Sequence, residues 1–481
     1  MTDLLAALSP PLLAALQLAM GVVASAHVVL HKRDVRAAIG WIGLIWLVPY
    51  GGSILYALFG INRLRRRATG LRTLRPYART PERTPSSLTD LATTLPSFGR
   101  HLVSVARLVD RVAETTLTAG NSVSPLADGA RAYAAMLDAI DRAERTLGLA
   151  TYIFDGDATG QSFAAALARA VQRGVAVRVL VDGVGVRYSY PAITGLLRRH
   201  GVPTAEFLPT LFPLSLHYAN LRNHRKILVA DGRVGFTGGL NIRQGHADHE
   251  GRAAIRDLHF RLQGPVVAHL AETFADDWAF VTGEQLSGES WFPPLLSAGS
   301  VFARGIAAGP DEAFERVRWA MLGALSQARE RVRIVTPYFL PDTALSTALQ
   351  VAALRGVTID IAMPERNNLR LVQWAACAKI FQFLARGCRV WLTPPPFDHS
   401  KLMTVDGVWS FIGSTNWDPR SLRLNFEFNV ECYEAALAAE LDLLIDQKVA
   451  RSRPLTLADV HNRSFPIKLR DGAAWLLSPY L

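Results

Sequence analysis

One eight-residue pattern occurs twice in this chain. His224-Arg225-Lys226-Ile227-Leu228-Val229-Ala230-Asp231 returns as His399-Ser400-Lys401-Leu402-Met403-Thr404-Val405-Asp406. The agreement continues at unchanged spacing, with Gly238-Gly239 and Asn241 answered by Gly413-Ser414 and Asn416. Upstream, Thr151-Tyr152-Ile153-Phe154 is matched by Thr336-Pro337-Tyr338-Phe339, and Gly174 to Val179 by Gly356 to Ile361. A repeat of this length means that one structural unit is used twice. Each copy reads as helix (Ala130 to Arg145; Glu312 to Gln327), strand, helix (Gln161 to Arg173; Thr343 to Leu354), strand, then the motif hairpin. Helices alternating with short β-branched strands specify α/β architecture. The expected fold is two tandem α/β domains, residues 125–300 and 301–481, related by a pseudo-twofold with their motifs facing each other.

The repeated residue types point to phosphoryl chemistry. A phosphodiester needs positive charge around its oxygens, an in-line nucleophile and an acid for the departing alkoxide. Two histidines and two lysines provide these. In an extended strand His224 and Lys226 share a face, as do His399 and Lys401. Only six of the 52 basic residues are lysines, and two of the six are Lys226 and Lys401, so these positions call for a compact ammonium rather than a guanidinium fork. Imidazole serves as nucleophile or proton donor near neutrality and needs an orienting partner on its second nitrogen. By position, Asp257 is expected to orient His224 and Glu427 to orient His399. Asp231 and Asp406 complete the catalytic motifs and read as structural, pairing across the hairpin or toward the domain interface. Gly238 and Gly413 let backbone approach the substrate or form a turn. Asn241 and Asn416 are expected to donate to phosphoryl oxygen or hold the loop. The bland reading, histidines satisfied in a core and lysines on a wet face, does not account for two copies with five identities at fixed intervals.

The front of the chain is of another kind. Leu12 to Leu30 is a nineteen-residue apolar stretch, enough to cross ~30 Å of hydrocarbon as a helix. A second stretch, Ala37 to Ile61, carries no formal charge, so residues 1–65 read as a transmembrane helical hairpin, kinked or re-entrant at Pro49-Tyr50-Gly51-Gly52. The net charge of +11 is concentrated: Arg63 to Arg83 holds eight arginines against the single acid Glu82. Beside an apolar hairpin this patch suits an anionic membrane face rather than nucleic acid, and the positive-inside rule keeps the remainder cytoplasmic. The Ala24-Ser25-Ala26 string imitates a signal cleavage site, but Met1-Thr2-Asp3 lacks a basic n-region. Residues 66–124 read as a basic connector with one helix, Leu102 to Thr116. Cys377, Cys388 and Cys432 have no metal-ligand spacing and read as reduced core residues. His246, His249 and His259 suggest a metal cluster only by number. Trp278 and Trp319 read as packing residues, His217 and Tyr218 as packing or acceptor-channel residues, and Phe207 to Leu214 as a loop that packs or dips into lipid.

At its repeated motifs the chain resembles the phospholipase D superfamily, whose signature is His, any residue, Lys, four residues, Asp, then a glycine pair or Gly-Ser. Both copies fit without a gap. Within that superfamily it is similar to bacterial cardiolipin synthases over nearly its whole length, on Asn223 to Lys226, Phe236 to Asn241, Thr336 to Phe339, Gly413 to Ser421, the double apolar segment and the terminal Leu476 to Leu481. The resemblance implies phosphatidyl transfer between two phosphatidylglycerols through a phosphohistidine, with His224 as nucleophile and His399 as acid/base, no metal or cofactor, and a multi-pass location in the bacterial inner membrane. Its rivals are a hydrolytic phospholipase D, transfer to another alcohol, a nuclease and an inactive membrane scaffold.

Overall fold

The computed structural model describes residues 10–32, 35–61, 87–209, 221–247, 254–309 and 315–478. The arginine run Arg63 to Arg83, His217, Tyr218, Thr210 to Leu214, His249 and the terminal Pro479 to Leu481 lie outside them. The chain divides into an N-terminal unit, described over 10–61 apart from residues 33 and 34, and a larger unit containing both motifs.

In the N-terminal unit α1 (Pro10–His31) is apolar on all sides and long enough to cross a membrane. Leu12, Leu16, Val23 and Leu30 all point outward. The second apolar stretch is not one helix. α2 (Val35–Leu47) stops before Pro49, whose missing N–H ends the ladder. The helix resumes as α3 (Gly51–Leu55) and closes in a π-turn, Tyr56–Gly60. Polar side chains tie the two arms together: Trp46 Nε1 donates to Ser25 Oγ at 3.1 Å, and His27 Nδ1 shares a 2.8 Å hydrogen bond with the Tyr56 hydroxyl. In hydrocarbon, where no water competes, such pairings between helices satisfy their polar groups.

The larger unit is built on one sheet of sixteen strands. The first repeat supplies β1 (Thr118–Leu126), β2 (Thr146–Thr151), β3 (Ala176–Asp182), β4 (Thr204–Phe207), β5 (Arg222–Asn223), β6 (Ile227–Ala230), β7 (Val234–Gly238) and β8 (His259–Gln263). The second supplies β9 (Val301–Ala308), β10 (Arg331–Val335), β11 (Thr358–Pro364), β12 (Arg389–Thr393), β13 (Leu402–Val405), β14 (Trp409–Gly413), β15 (Asn425–Tyr433) and β16 (Arg453–Leu455). Apart from β16 and β5 the strand order is a palindrome, 12-11-10-13-14-15-9 followed by 1-8-7-6-2-3-4. The expected pseudo-twofold therefore passes between β9 and β1, and the two motif hairpins, β6–β7 and β13–β14, occupy equivalent places on either side.

Both faces of the sheet are covered, which is why its strands alternate apolar residues on two sides. On one face Leu147, Leu149, Val177 and Val179 pack with α4 (Gly129–Arg142) and α5 (Ala158–Gln172). The other face carries α6 (Val267–Thr282), where Phe274 and Trp278 meet Ile227 and Phe428 in one cluster. The second repeat repeats the scheme with α7 (Arg316–Gln327) and α8 (Thr343–Leu354) on one face and α10 (Ala435–Ala450) on the other. Trp278 packs as expected, whereas Trp319 is 43% exposed. A further helix pair, α9 (Arg370–Lys379) and α11 (Phe465–Leu476), joins the second repeat.

The segment read as a connector is partly core. A helix over Val103–Val112 packs Val105, Ala106 and Val109 into the cluster around α7, shorter than the expected Leu102 to Thr116. Thr118–Leu126 then enters the middle of the sheet between β8 and β9. Its Gly120, Ser122 and Pro125 are breaker residues, so local propensity argues against a strand. Pairing on both sides overrides it. Buried Arg304 of β9 is held by Glu431 of β15 at 2.6 Å and by Asp110 of the preceding helix.

Candidate active site

Each motif His-x-Lys lies just before its strand, not within it. β5 runs parallel to the start of β15, Arg222 opposite Asn425 and Asn223 opposite Phe426, and His224 N–H donates to Phe426 O at 2.9 Å. The second motif mirrors this: Asp398 bridges in parallel to Arg256, and His399 N–H donates to Arg256 O at 2.7 Å. Each His-x-Lys tripeptide is thus strapped to the other repeat.

This strapping crosses the orienting carboxylates. His224 Nδ1 meets both oxygens of Glu427, at 3.0 and 3.1 Å, and His399 Nδ1 meets Asp257 Oδ2 at 2.8 Å. The expectation from sequence order, Asp257 with His224 and Glu427 with His399, is therefore reversed. The acids are the expected ones. Their partners differ because β8 and β15 lie near the pseudo-twofold, where an acid reaches the opposite repeat.

All six groups are buried, His224 and His399 keeping 8% exposure each. Lys226 Nζ donates to His224 O at 2.7 Å and Lys401 Nζ to His399 O at 2.6 Å. Burial drives Lys226 down to about 7 and Lys401 to about 8. Burial likewise pushes His224 down to about 4, with Glu427 opposing. His399 falls well below the ordinary imidazole value through burial and the charges of Lys401 and Lys226. Both imidazoles are therefore neutral near pH 7, each Nδ1–H donating to a carboxylate. Influence across the pseudo-twofold is mutual: Lys401 bears on His224, and Lys226 and His224 bear on His399. Tyr152 stands edge-on to His224 with ring centres 5.2 Å apart, and Tyr338 to His399 at 6.2 Å. Sequence reasoning did not single out these tyrosines, although both lie in the repeated upstream segment.

The two halves are not chemically identical. Glu427 also accepts from Ser414 Oγ at 2.5 Å and Asn425 Nδ2 at 3.1 Å. Burial pushes this carboxylate up, but His224, Lys226 and Ser414 hold it below the usual range. Asp257 has Gly239 and Ile255 at the matching positions, and burial leaves it raised. A Cβ on Gly239 would come within 2.1 Å of Asp257 Oδ1, which explains Gly-Gly in one motif and Gly-Ser in the other. Lys401 Nζ stands 3.1 and 3.0 Å from the two ring nitrogens of His399, whereas among the described residues no hydrogen-bond partner meets His224 Nε2. The flanking residues are clamped with opposite polarity. Asp277 of α6 holds Asn223 and Arg225, while Lys448 of α10 holds Asp398 and Ser400.

The motif aspartates are not at this centre, which corrects their place in the catalytic set. Asp231 and Asp406 sit at the far ends of β6 and β13, roughly 15 Å of strand from the lysines. With Gly232 and Gly407 they form turns whose central residues all have positive φ. Their carboxylates do not pair across the hairpin. Asp231 accepts the N–H groups of Glu144, Arg145 and Thr146, and Asp406 those of Arg329, Glu330 and Arg331 plus His101 Nε2 at 2.8 Å. They fix the entry to β2 and β10. Gly238 and Gly413, at φ 152° and 149°, leave room for β8 and β15. A Cβ there would meet Leu258 O at 2.6 Å or Phe428 O at 2.4 Å, so their role is backbone approach rather than substrate contact. Asn241 Oδ1 accepts Ile153 N–H at 3.3 Å, and Asn416 Nδ2 donates to Ser421 Oγ at 3.2 Å. His246 lies 6.3 Å from His399 between ring centres, and buried His259 has no hydrogen-bond partner for either ring nitrogen among the described residues. No group of three metal-binding side chains occurs among the described residues.

Comparison with known proteins agrees with this geometry. A family model described as a cardiolipin synthase, phospholipase D-like domain matches residues 136–278 and 321–448, one match per repeat. Another, described as a phospholipase D-nuclease N-terminal region, matches 19–60. A cardiolipin synthase of Geobacillus thermodenitrificans is 31% identical over 460 residues, covering 94% of this chain and 90% of its own length. The major cardiolipin synthase of Bacillus subtilis is 30% identical, covering 94% and 95%. The fold is shared with phosphatidylserine synthase of Haemophilus influenzae, at a TM-score of 0.62 and 14% identity over 78% of this chain and all of that one. With a family model on both repeats and near full-length relatives at this identity, the chain belongs to the cardiolipin synthase family of phospholipase D-like proteins.

Proposed function

We propose that this chain is a cardiolipin synthase that joins two phosphatidylglycerols and releases glycerol. The carrying observation is the pair of imidazoles, each with Nδ1 on a carboxylate from the other repeat and a buried lysine alongside. In the first step His224 Nε2 attacks phosphorus. The bond from phosphorus to the headgroup glycerol breaks, and His399, protonated once the anionic lipid is bound, gives its proton to the departing oxygen. Lys226 and Lys401 balance the charge on the non-bridging oxygens. In the second step neutral His399 takes the proton of a hydroxyl on another phosphatidylglycerol, whose oxygen displaces His224 from phosphorus. Cardiolipin and free enzyme result. Among the described residues no hydrogen bond engages His224 Nε2, and this, with the ionised Glu427 behind the ring, favours His224 as nucleophile; Lys401 against the His399 ring disfavours the reverse.

The substrates are membrane phospholipids, and the apolar hairpin is read as a multi-pass anchor in the bacterial inner membrane with both repeats on the cytoplasmic side. Asn241 and Asn416 are assigned to the phosphoryl oxygens. The test is to incubate membranes containing the protein with labelled phosphatidylglycerol and identify products by mass spectrometry. Cardiolipin plus glycerol is expected. Phosphatidic acid alone would make the protein a hydrolase.

A further inference from the structure

The C-terminal helix α11 is turned inside out. Phe465, Leu469 and Leu476 are 74%, 62% and 70% exposed, and with exposed Ala473 they form a single stripe at helical spacing. The opposite side carries buried Asp471, 1% exposed, and Ala474. An ordinary surface helix does the reverse, hiding its apolar stripe and wetting its charges. The inversion is built in. Asp471 is gripped by Arg463 at 2.6 Å and Arg470 at 2.7 Å, and Ala474 packs with Ala375 of α9 and Leu340. Lys468 and Arg470, both exposed, flank the stripe on its two sides. Two half-buried indoles complete the pair: Lys379 lies 3.9 Å over the Trp475 ring, and Arg470 lies 4.4 Å over that of Trp374. At the start of α9, Leu369 and Leu371 are 49% and 45% exposed.

We infer that α11 and the start of α9 form an interfacial membrane-binding element that lies on an anionic phospholipid surface. The apolar stripe enters the acyl boundary, the indoles sit at headgroup depth and the flanking cations meet lipid phosphates. A bilayer fits better than a protein partner because a cation borders each side of the stripe and aromatic rings are held beneath cations. The surface is continuous with the candidate active site. Asn368, two residues before α9, accepts the Tyr338 hydroxyl at 2.9 Å, Asn367 donates to Pro337 O at 2.7 Å, and Tyr338 walls His399. Seating this element on the bilayer brings the second half-site to the surface from which a lipid headgroup enters. That purpose rests on the lipid-transfer reading; the binding itself does not.

The test places a nitroxide at Ala473→Cys, in a Cys377→Ala background, on the full chain in nanodiscs containing phosphatidylglycerol. Relaxation by oxygen exceeding relaxation by a water-soluble nickel chelate is expected, the signature of a lipid-embedded site. Nickel dominating, as on a wet helix, would overturn the inference. So would spin–spin coupling between labels, which would make the stripe a contact between two copies. In parallel, Phe465→Ser with Leu469→Ser should cut kcat/KM on vesicles by about tenfold while sparing turnover of a short-chain phosphatidylglycerol dispersed in detergent. Equal activity of variant and parent on vesicles also counts against it. If the protein makes no cardiolipin at all, the nitroxide still decides the binding, so the two failures are separable.

Discussion

Replacing Glu427 with glutamine removes one charge and almost no volume, at a position that is fully buried. In the parent, both carboxylate oxygens face the Nδ1–H of His224, while Ser414 and Asn425 donate as well. An amide has a single acceptor oxygen, so at least one of these donors meets an N–H instead. The larger loss comes when His224 bonds to phosphorus and its ring becomes cationic. With that charge centred about 4 Å from the carboxylate in a medium of effective dielectric about 20, the missing attraction is about 4 kcal/mol. That corresponds to roughly a thousandfold in rate. The assay is single-turnover release of labelled headgroup glycerol from phosphatidylglycerol by reconstituted protein. Glu427→Gln should slow the burst by about 10³, with histidine NMR showing the His224 Nδ1 proton displaced and that of His399 unmoved. A burst slowed less than about tenfold, or a displaced His399 proton, would refute both the crossed pairing and the charge argument.

Other consequences can be measured separately. Lys226 and Lys401, at about 7 and 8, must be charged to receive a phosphodiester, so kcat/KM should fall as pH rises through that window, while kcat, with anionic lipid raising both lysines, holds to higher pH; a kcat/KM still climbing at pH about 9 would exclude this. Gly239→Ala should lower activity by more than about 10² with circular dichroism unchanged, because its methyl displaces Asp257. Asp231→Asn keeps a residue that tolerates positive φ but weakens the grip on three N–H groups, so the expected effect is about 1–3 kcal/mol of stability, seen as a melting temperature a few degrees lower, with kcat nearly intact. A hundredfold fall in kcat at unchanged melting temperature would instead return that aspartate to the chemistry.

The repeated motif was legible because its residue types are few and its spacing exact to the residue, and α8 lies just where its apolar pattern puts it, Thr343–Leu354. Which acid serves which histidine was not legible, since proximity in sequence favours partners within one repeat while the palindromic sheet favours partners across it. β1 was hidden by its own composition, and its strand character comes from neighbours far away in the chain. Tyr152, Tyr338 and Lys448 left traces that could have been followed: the tyrosines in the repeated upstream segment, and Lys448 in the scarcity of lysine. Ser414 was read only as a motif variant, because its bond to Glu427 forms only once β14 and β15 are paired. Outside the site, the inversion of α11 shows once exposure is known, since its apolar periodicity alone reads as an ordinary buried face.

The backbone straps between Asn223 and Phe426 and between Arg256 and Asp398 bear on biogenesis. A nascent chain with only its first half emerged from the ribosome carries His224 without the acid that steadies it, and Asp257 without the imidazole it serves. No competent centre exists until the last third of the polypeptide has been made and docked. Under the proposed reaction, a partly made chain is thereby kept inert toward lipid.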